Sequence, residues 1–270
     1  MSDPFQGRVA VVTGGASGIG LAMAQAFAAR GAKLALADIR EAALDAAVKQ
    51  FEPSGTEVVG IPTDVAKRES VEKLADQVFS RYGAAHIVCN NAGIAPLGSI
   101  IGADPDDWGT TMAINLWGVV HGIDAFVPRM IEQKQGGHIV NTASMAGLIG
   151  MQYLGLYCVT KFAVVGLTES LERELRPHGI GVSALCPMMV TTPIGENSAR
   201  SLGREAPIQI GSTEPATGAM KGGFIKPEEV ARKVVRAIEA GRFYILTHPE
   251  QREFLRRRAD RIDAVFDQDF

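Results

Sequence analysis

The strongest constraint on how this chain can fold is the run Arg8-Val9-Ala10-Val11-Val12 leading directly into Thr13-Gly14-Gly15-Ala16-Ser17-Gly18-Ile19-Gly20. A short apolar, β-branched run of this kind reads as a buried strand, and the Ala-rich stretch 21–30, stopped by Gly31, reads as a helix. A strand that passes through glycines straight into a helix makes a cradle for phosphate. The glycines let backbone approach the anion closely, and the free N–H groups at the helix start face it. Glycine-rich turns join many strands to helices, so the flanking strand and helix are what give this one meaning.

The same alternation runs through the chain. Apolar strands are predicted at 33–37, 57–61, 86–89, 137–143, 181–186 and 243–247. Helix-period segments fall between them at 41–51, 67–82, 106–133, 153–175 and 227–240. The second of these helices shows the pattern clearly, with Val71, Leu74, Ala75, Val78 and Phe79 on one stripe. The expectation is an α/β protein: a doubly wound, Rossmann-type sheet of about seven parallel strands with helices on both faces and a ligand at the carboxyl ends of the strands. Residues 1–270 are expected to form one domain. Within it, the Gly-, Ser-, Thr- and Pro-rich stretch 188–225 has weak periodicity and is placed as a lid over the substrate. The end, 249–270, sets Phe254, Leu255, Ile262, Val265 and Phe266 among arginines, as an amphipathic helix on the body or on a neighbouring subunit would.

Composition removes several functions. With 46% hydrophobic and 21% charged residues and a net charge of −3, the chain gives no reason to expect nucleic acid or an anionic membrane as partner. The triplet Arg256-Arg257-Arg258 has Asp260 and Asp263 nearby and reads as a solvated face. No apolar run is long enough to span a membrane and no secretory leader pattern is present, so a cytoplasmic location is expected. Cys89, Cys158 and Cys186 are far apart in apolar segments, without metal-ligand spacing, and read as buried hydrophobes in a reducing compartment. No metal is expected.

Chemistry-bearing residues collect at predicted strand ends. Asp38 closes the second strand, where a carboxylate can accept both hydroxyls of an adenosine ribose; the alternative is that it caps the following helix. At the ribose it would repel a 2′-phosphate: like charges about 4 Å apart cost up to ~4 kcal/mol at an effective dielectric near 20. NAD is therefore preferred over NADP, although Arg40 stands close enough in sequence to swing in. Asp64-Val65 follows the third strand, placed to meet adenine. Asn115 lies near the middle of a predicted helix, where its amide is locally unfavourable and suggests a purpose. Ser144 follows the strand 137–143, and Tyr157 and Lys161 are spaced to share one helix face. By itself a Tyr and Lys at this spacing is usually a solvated pair. A phenol beside an ammonium is also a tunable acid, and with a hydroxyl nearby it suits proton exchange with an alcohol or carbonyl oxygen.

Taken together, Thr13-Gly14-x-x-x-Gly18-Ile19-Gly20, Asp64, Asn90-Asn91-Ala92-Gly93, Asn115, Ser144 and Tyr157-x-x-x-Lys161 resemble the short-chain dehydrogenase/reductase family, in family order over about residues 8–195. The resemblance implies hydride exchange between a nicotinamide cofactor and a secondary alcohol or its ketone. It implies Tyr157 as the acid/base, Lys161 binding the nicotinamide ribose and lowering the tyrosine pKa, Ser144 polarising the carbonyl, and Asn115 holding a water in a proton relay. It further implies that Gly14, Ser17, Gly18, Ile19, Gly20, Asp38, Asp64, Val65, Asn91, Ala92, Gly93, Tyr157, Lys161, Pro187, Val190 and Thr192 line the dinucleotide. Two features depart from the common pattern. Met188-Met189-Val190-Thr191-Thr192 follows Pro187 where a glycine is usual, and the Asp-Gly-Gly ending of many tetramers is absent. The tail Phe243-Tyr244-Ile245-Leu246-Thr247-His248-Pro249-Glu250 and the stretch Phe126-Val127-Pro128-Arg129-Met130-Ile131 are similar to a subgroup that oxidises benzylic alcohols of lignin-derived aryl ethers.

The expectation is thus an NAD(H)-dependent oxidoreductase for a bulky, apolar or aromatic secondary alcohol, with Leu148, Ile149, Met151, Leu154, Met188 and Met189 near the site. Its alternatives are an NADPH-dependent ketone reductase and a non-catalytic NAD-binding sensor. The family's habit of pairing the helices around Asn115 and Tyr157 between subunits implies a homodimer or homotetramer.

Overall fold

The structure is a computed structural model that describes residues 3–205 and 222–267. Its seven strands are β1 (Val9–Thr13), β2 (Lys33–Asp38), β3 (Val58–Pro62), β4 (Ile87–Asn90), β5 (Gly137–Thr142), β6 (Ile180–Cys186) and β7 (Tyr244–Leu246). They lie in one sheet in the order β3-β2-β1-β4-β5-β6-β7. Every neighbouring pair runs parallel. The expected sheet is therefore found, with strand limits moved by about a residue.

Strand side chains alternate between two cores, which is why these strands read as nearly continuous apolar runs. Ala10 and Val12 face Met23 and Phe27 of α1 (Gly18–Ala28), Leu44 of α2 (Glu41–Lys49) and Val230 and Val234 of α8 (Pro227–Glu239). Val9 and Val11 face the other way, toward Leu74 and Val78 of α3 (Arg68–Tyr82), Phe126 and Met130 of α5 (Gly118–Glu132) and Leu171 of α6 (Gly155–Leu175). Chain order reverses between β1 and β4, so their carboxyl ends splay apart and open a crevice.

The predicted single helix 106–133 is interrupted. It opens as α4 (Pro105–Met112), with the Asp104 side chain accepting from Asp106 N–H and Pro105 in the first turn. It then widens into one π turn at Ala113–Trp117 before continuing as α5. The lid stretch also differs from expectation, because it contains α7 (Ile194–Ser201). This helix buries Ser198 and Ala199 in place of an apolar stripe, so no helical period was visible. Residues 206–221 of the lid lie outside the described residues.

At the other end, α9 (Arg252–Asp263) buries none of its described side chains, and the Arg258 guanidinium lies 5.5 Å from the Phe162 ring centroid. The apolar residues of this stretch, expected to pack on the body or on a neighbouring subunit, are not buried against the body, and Ile262 is 47% exposed.

Leu36 is wholly buried between β2's neighbours, α1 and α2. Leu36→Ala leaves a cavity there and is expected to cost about 2–5 kcal/mol. A fall in melting temperature measures it, and an unchanged transition would contradict the assigned core.

Candidate active site

The crevice is fixed by a hydroxyl. Thr13, the last residue of β1, accepts at Oγ1 from the backbone N–H groups of Asn91 and Ala92 at 2.9 and 3.1 Å. The Asn91 amide donates to Thr13 O at 2.9 Å. The backbone just after β4 is thereby stitched to β1 by three hydrogen bonds, and the two lips of the crevice cannot drift independently. Thr13 was named in the sequence motif but not as a site residue; its position at the switch point is what reveals its use.

The glycine turn forms the floor. Gly14 has φ +64, and a Cβ there would lie 3.0 Å from Ala92 Cα. A Cβ on Gly20 would lie 2.3 Å from Gly14 O, closer than any side chain can come. The turn and α1 therefore press together in a way that only glycine permits. Ser17, at the N-cap of α1, makes no side-chain cap bond, so the first N–H groups of the helix remain for an anion. This cradle fits a pyrophosphate.

Asp38 does not cap α2. Its Oδ2 accepts from Ala16 N–H at 3.2 Å, and both oxygens pair with Arg40 at 3.0 Å. It is only 5% exposed and faces the crevice. Asp64 and Val65 line the same cavity. Asp64 accepts from Ala66 N–H at 3.1 Å, and Val65 O pairs with the His121 ring.

The reactive groups rise from α6 and the end of β5. Tyr153, in a left-handed conformation with φ 61, turns the chain into α6, and its carbonyl accepts from Gly98 N–H at 2.8 Å. Lys161 is 3% exposed and donates to Thr142 O at 2.7 Å, with Nζ 5.5 Å from the Tyr157 ring centroid. Burial pulls the Lys161 ammonium down to about 8. Burial also pushes the Tyr157 phenol up to about 12, while the Ser144 hydroxyl acts in the opposite direction. This direction is opposite to the lowering expected from the ammonium, because desolvation of the phenolate is the largest cause and the ammonium is directed at Thr142 O. Ser144 accepts from Ala146 N–H at 3.1 Å and donates to Pro187 O at 3.3 Å, a long bond that is easily given up.

Asn115 is fully buried in the π turn, and its purpose is visible. Its Oδ1 accepts from Ile94 N–H and its Nδ2 donates to Ile94 O, both at 2.8 Å, with a further bond to Thr160 Oγ1 at 3.2 Å. The side chain clasps the backbone after Gly93. A Cβ on Gly93 would sit 3.2 Å from Asn115 Oδ1 and 3.6 Å from Lys161 Nζ, so the three share one small space.

One cavity of about 520 Å³ joins all of this: Gly14, Ser17, Gly18, Ile19, Asp38, Asp64, Asn91, Ala92 and Gly93 line it, as do Ser144, Tyr157, Lys161, Pro187, Val190 and Thr192. Gly20 lies behind the floor and Asn115 beneath Gly93, neither on the wall. Met151, Leu154, Met188 and Met189 line the cavity as expected, while Leu148 packs into the core beside Val164 and Ala184. Ile149 does not line it either. Ile94, Ile194 and Phe224 complete the apolar wall, and no sequence signal marked them. Among the described residues no His, Cys, Asp and Glu cluster suits a metal. Burial pushes Cys186 up to about 12 and Cys89 upward, which leaves both as inert thiols.

Comparison with known proteins agrees with this geometry. A family model described as short chain dehydrogenase matches residues 8–202. The chain is 34% identical over 266 residues to a C alpha-dehydrogenase of Sphingobium sp. strain SYK-6, covering 97% of this chain and 87% of that protein. It is 34% identical over 258 residues to the 1-deoxy-11-beta-hydroxypentalenate dehydrogenase of Streptomyces exfoliatus, covering 95% and 88%. A short chain dehydrogenase/reductase from Burkholderia phymatum, solved in complex with NAD, superposes with a TM-score of 0.89 at 39% identity, covering 98% and 96%. The apo form of LigD from Sphingobium sp. strain SYK-6 gives 0.80 at 31%, covering 98% and 99%.

The buried ammonium makes stability depend on pH. Lys161 falls from 10.5 to about 8 on folding, so between those values the unfolded chain binds more protons and stability rises with pH. Relative to Lys161→Met, the native protein should gain up to about 3 kcal/mol from pH 8 to 10.5. Denaturant midpoints of the two proteins across this range check it, and parallel curves would refute it.

Proposed function

Because this chain belongs to the short-chain dehydrogenase family, we propose that Tyr157, Lys161 and Ser144 carry a reversible oxidation of a bulky, apolar or aromatic secondary alcohol to its ketone with NAD(H). One observation carries the reading: the wall that bears Tyr157 and Lys161 belongs to the same cavity as the glycine turn and Asp38. The NAD-bound Burkholderia phymatum structure supports the cofactor, as does a carboxylate at 38 that disfavours a 2′-phosphate. The glycine turn and α1 would hold the pyrophosphate, Asp38 the adenosine ribose and Lys161 the nicotinamide ribose. Asp64, Val65, Asn91 and Ala92 would line the remainder, with Pro187, Val190 and Thr192 at the nicotinamide end. Bound there, the cofactor accepts or supplies the hydride.

The proton is handled by the chain itself. In the oxidising direction the Tyr157 oxygen takes the proton of the alcohol, and in the reducing direction it returns a proton to the carbonyl oxygen. Ser144 gives up its long bond to Pro187 O and donates to the same oxygen, stabilising charge as it develops. The Lys161 ammonium, fixed on Thr142 O, lies close enough to favour the phenolate when the alcohol is bound. Asn115 holds the Gly93–Ile94 backbone in register beneath them. A water relay through Asn115 would have to use its backbone carbonyl or the second lone pair of Oδ1, because both side-chain N–H groups are engaged.

Support for the substrate class comes from the apolar wall of Ile94, Met151, Leu154, Met188, Met189 and Phe224. The names of the C alpha- and hydroxypentalenate dehydrogenases point the same way. We place the activity in a single domain closed by the lid 188–225, in a cytoplasmic homodimer or homotetramer. Exposed Trp117 and Val159, on the helices around Asn115 and Tyr157, support the oligomer, and three free cysteines support the compartment. No described helix is long and apolar enough to cross a membrane.

A panel of benzylic and other bulky secondary alcohols, followed by NADH absorbance, tests the assignment. Tyr157→Phe should lower kcat by about 10²–10⁴ while NAD binding by calorimetry stays within a factor of about two. Retained turnover would remove Tyr157 from the chemistry.

A phenol with a raised pKa also fixes the sign of the pH response. While the Lys161 ammonium keeps its proton the phenolate fraction grows about tenfold per pH unit, so alcohol oxidation should climb from pH 6 to 8. Ketone reduction, which uses the protonated phenol, should not climb. Profiles of the two directions that rise together would overturn the acid/base assignment.

A further inference from the structure

Arg40 joins three parts of the cavity that are remote in sequence. Its Nε donates to Asp38 Oδ1 and its Nη2 to Asp38 Oδ2, both at 3.0 Å. Nη2 also donates to Ser17 Oγ at 2.9 Å, and Nη1 reaches Asn197 Oδ1 of the lid helix α7 at 3.0 Å. Asp38 is saturated by these bonds. A carboxylate offers about four acceptor positions. Two are taken by the Arg40 guanidinium, one by Arg40 N–H at 3.1 Å and one by Ala16 N–H at 3.2 Å. The two backbone donors are fixed by the chain, whereas the guanidinium sits on a side chain that is 25% exposed.

A ribose diol can therefore bond to Asp38 only by displacing the guanidinium. The same movement withdraws Arg40 from Asn197 and leaves its Oδ1 with only the Arg200 guanidinium of α7 itself, at 3.2 Å. Two further ties hold this segment: Ser198 Oγ accepts from Ala95 N–H at 2.8 Å, and Arg204, just past the end of α7, pairs with Asp107. The Arg40 bond is thus the link between the ribose carboxylate and the lid. We propose that Arg40 is a latch, a positioning residue that competes with the adenosine ribose for Asp38 and, when displaced, releases the cofactor-facing side of α7. This rests on the reading of Asp38 as the ribose acceptor. Ribose recognition and lid position are then one equilibrium, and the apparent affinity for NAD is reduced by the fraction of protein that is latched.

Calorimetric titration of NAD into the whole protein tests it. Arg40→Ala should bind NAD on the order of threefold tighter or better, since a partly exposed ion pair no longer competes. Its melting temperature without nucleotide should not rise, because the ion pair is lost. A merely structural arginine would weaken both. Arg40→Lys can hold one Asp38 oxygen but not Ser17 and Asn197 together, and should give a smaller gain. Asn197→Ala should tighten NAD binding modestly, and the double variant Arg40→Ala with Asn197→Ala should bind no tighter than Arg40→Ala. Unchanged or weaker NAD binding in both Arg40 variants overturns the latch and leaves the dehydrogenase reading intact. Native protein that takes up NADPH in preference to NAD overturns the ribose reading, and the latch with it.

Discussion

Much of the candidate site's geometry depends on one hydrogen bond, from the Lys161 ammonium to the carbonyl of Thr142. A cation 3% exposed is expensive to bury, and its pKa, pulled down to about 8, records that cost. The carbonyl at the end of β5 is what makes the position tolerable. That carbonyl stays where it is because β5 is pinned on both sides, Asn141 opposite Asn90 of β4 and Thr142 opposite Leu185 of β6. The register of the sheet therefore sets the height of Lys161, and α6 carries Tyr157 with it one turn away. The placement of the phenol and the ammonium is in this sense a property of strand pairing.

Buried polar side chains extend the same logic around the crevice. Asn90 Nδ2 donates to Asn141 Oδ1 at 2.8 Å, and Asn141 Nδ2 donates to Thr168 Oγ1 of α6 at 3.1 Å. Thr13 fastens the chain after β4 to β1, and Asn115 fastens its next residues to the π turn. Each bond contributes only about 1 kcal/mol net, while leaving one partner unpaired in the interior costs more. Their main effect is geometric. They leave the loops at the carboxyl ends of β1, β4 and β5 a single arrangement, the one in which a phosphate cradle, an ammonium and a phenol share a wall.

The sequence made the sheet legible because burial on both faces turns each strand into an apolar run, and because glycine cannot be replaced at Gly14 or Gly20 without collision. Asp38, Ser144, Tyr157 and Lys161 were legible for a related reason: each follows a strand end or sits on a helix period counted from one. What stayed hidden depends on contacts between distant segments. The π turn at Asn115 exists to meet Ile94, and nothing local distinguishes it from a helix with one poor residue. Helix α7 buries a serine whose hydroxyl is satisfied by Ile194 O and Ala95 N–H, so polarity concealed an interior face. Leu148 looked like pocket lining from its place in the chain but turns into the core. The sign of the Tyr157 shift was hidden too, since burial depth cannot be read from spacing.

The substrate wall belongs to the sheet more than to the lid. Met188 N–H donates to Thr247 Oγ1 at 3.3 Å, and Gly223 O, which can only accept, takes the His248 Nε2–H at 3.1 Å. Nδ1 of the neutral ring is then the acceptor for the Thr247 hydroxyl at 2.7 Å. A second set of bonds ties the same two segments, with Ile225 N–H on Met189 O at 3.1 Å and Thr191 N–H on Ile225 O at 3.0 Å. Both roots of the lid are thus held at the ends of β6 and β7, and Met188, Met189 and Phe224 are held with them. The apolar character of this wall is thus fixed by the sheet. A chain built this way can change what its lid covers without disturbing the strand ends that place the phenol.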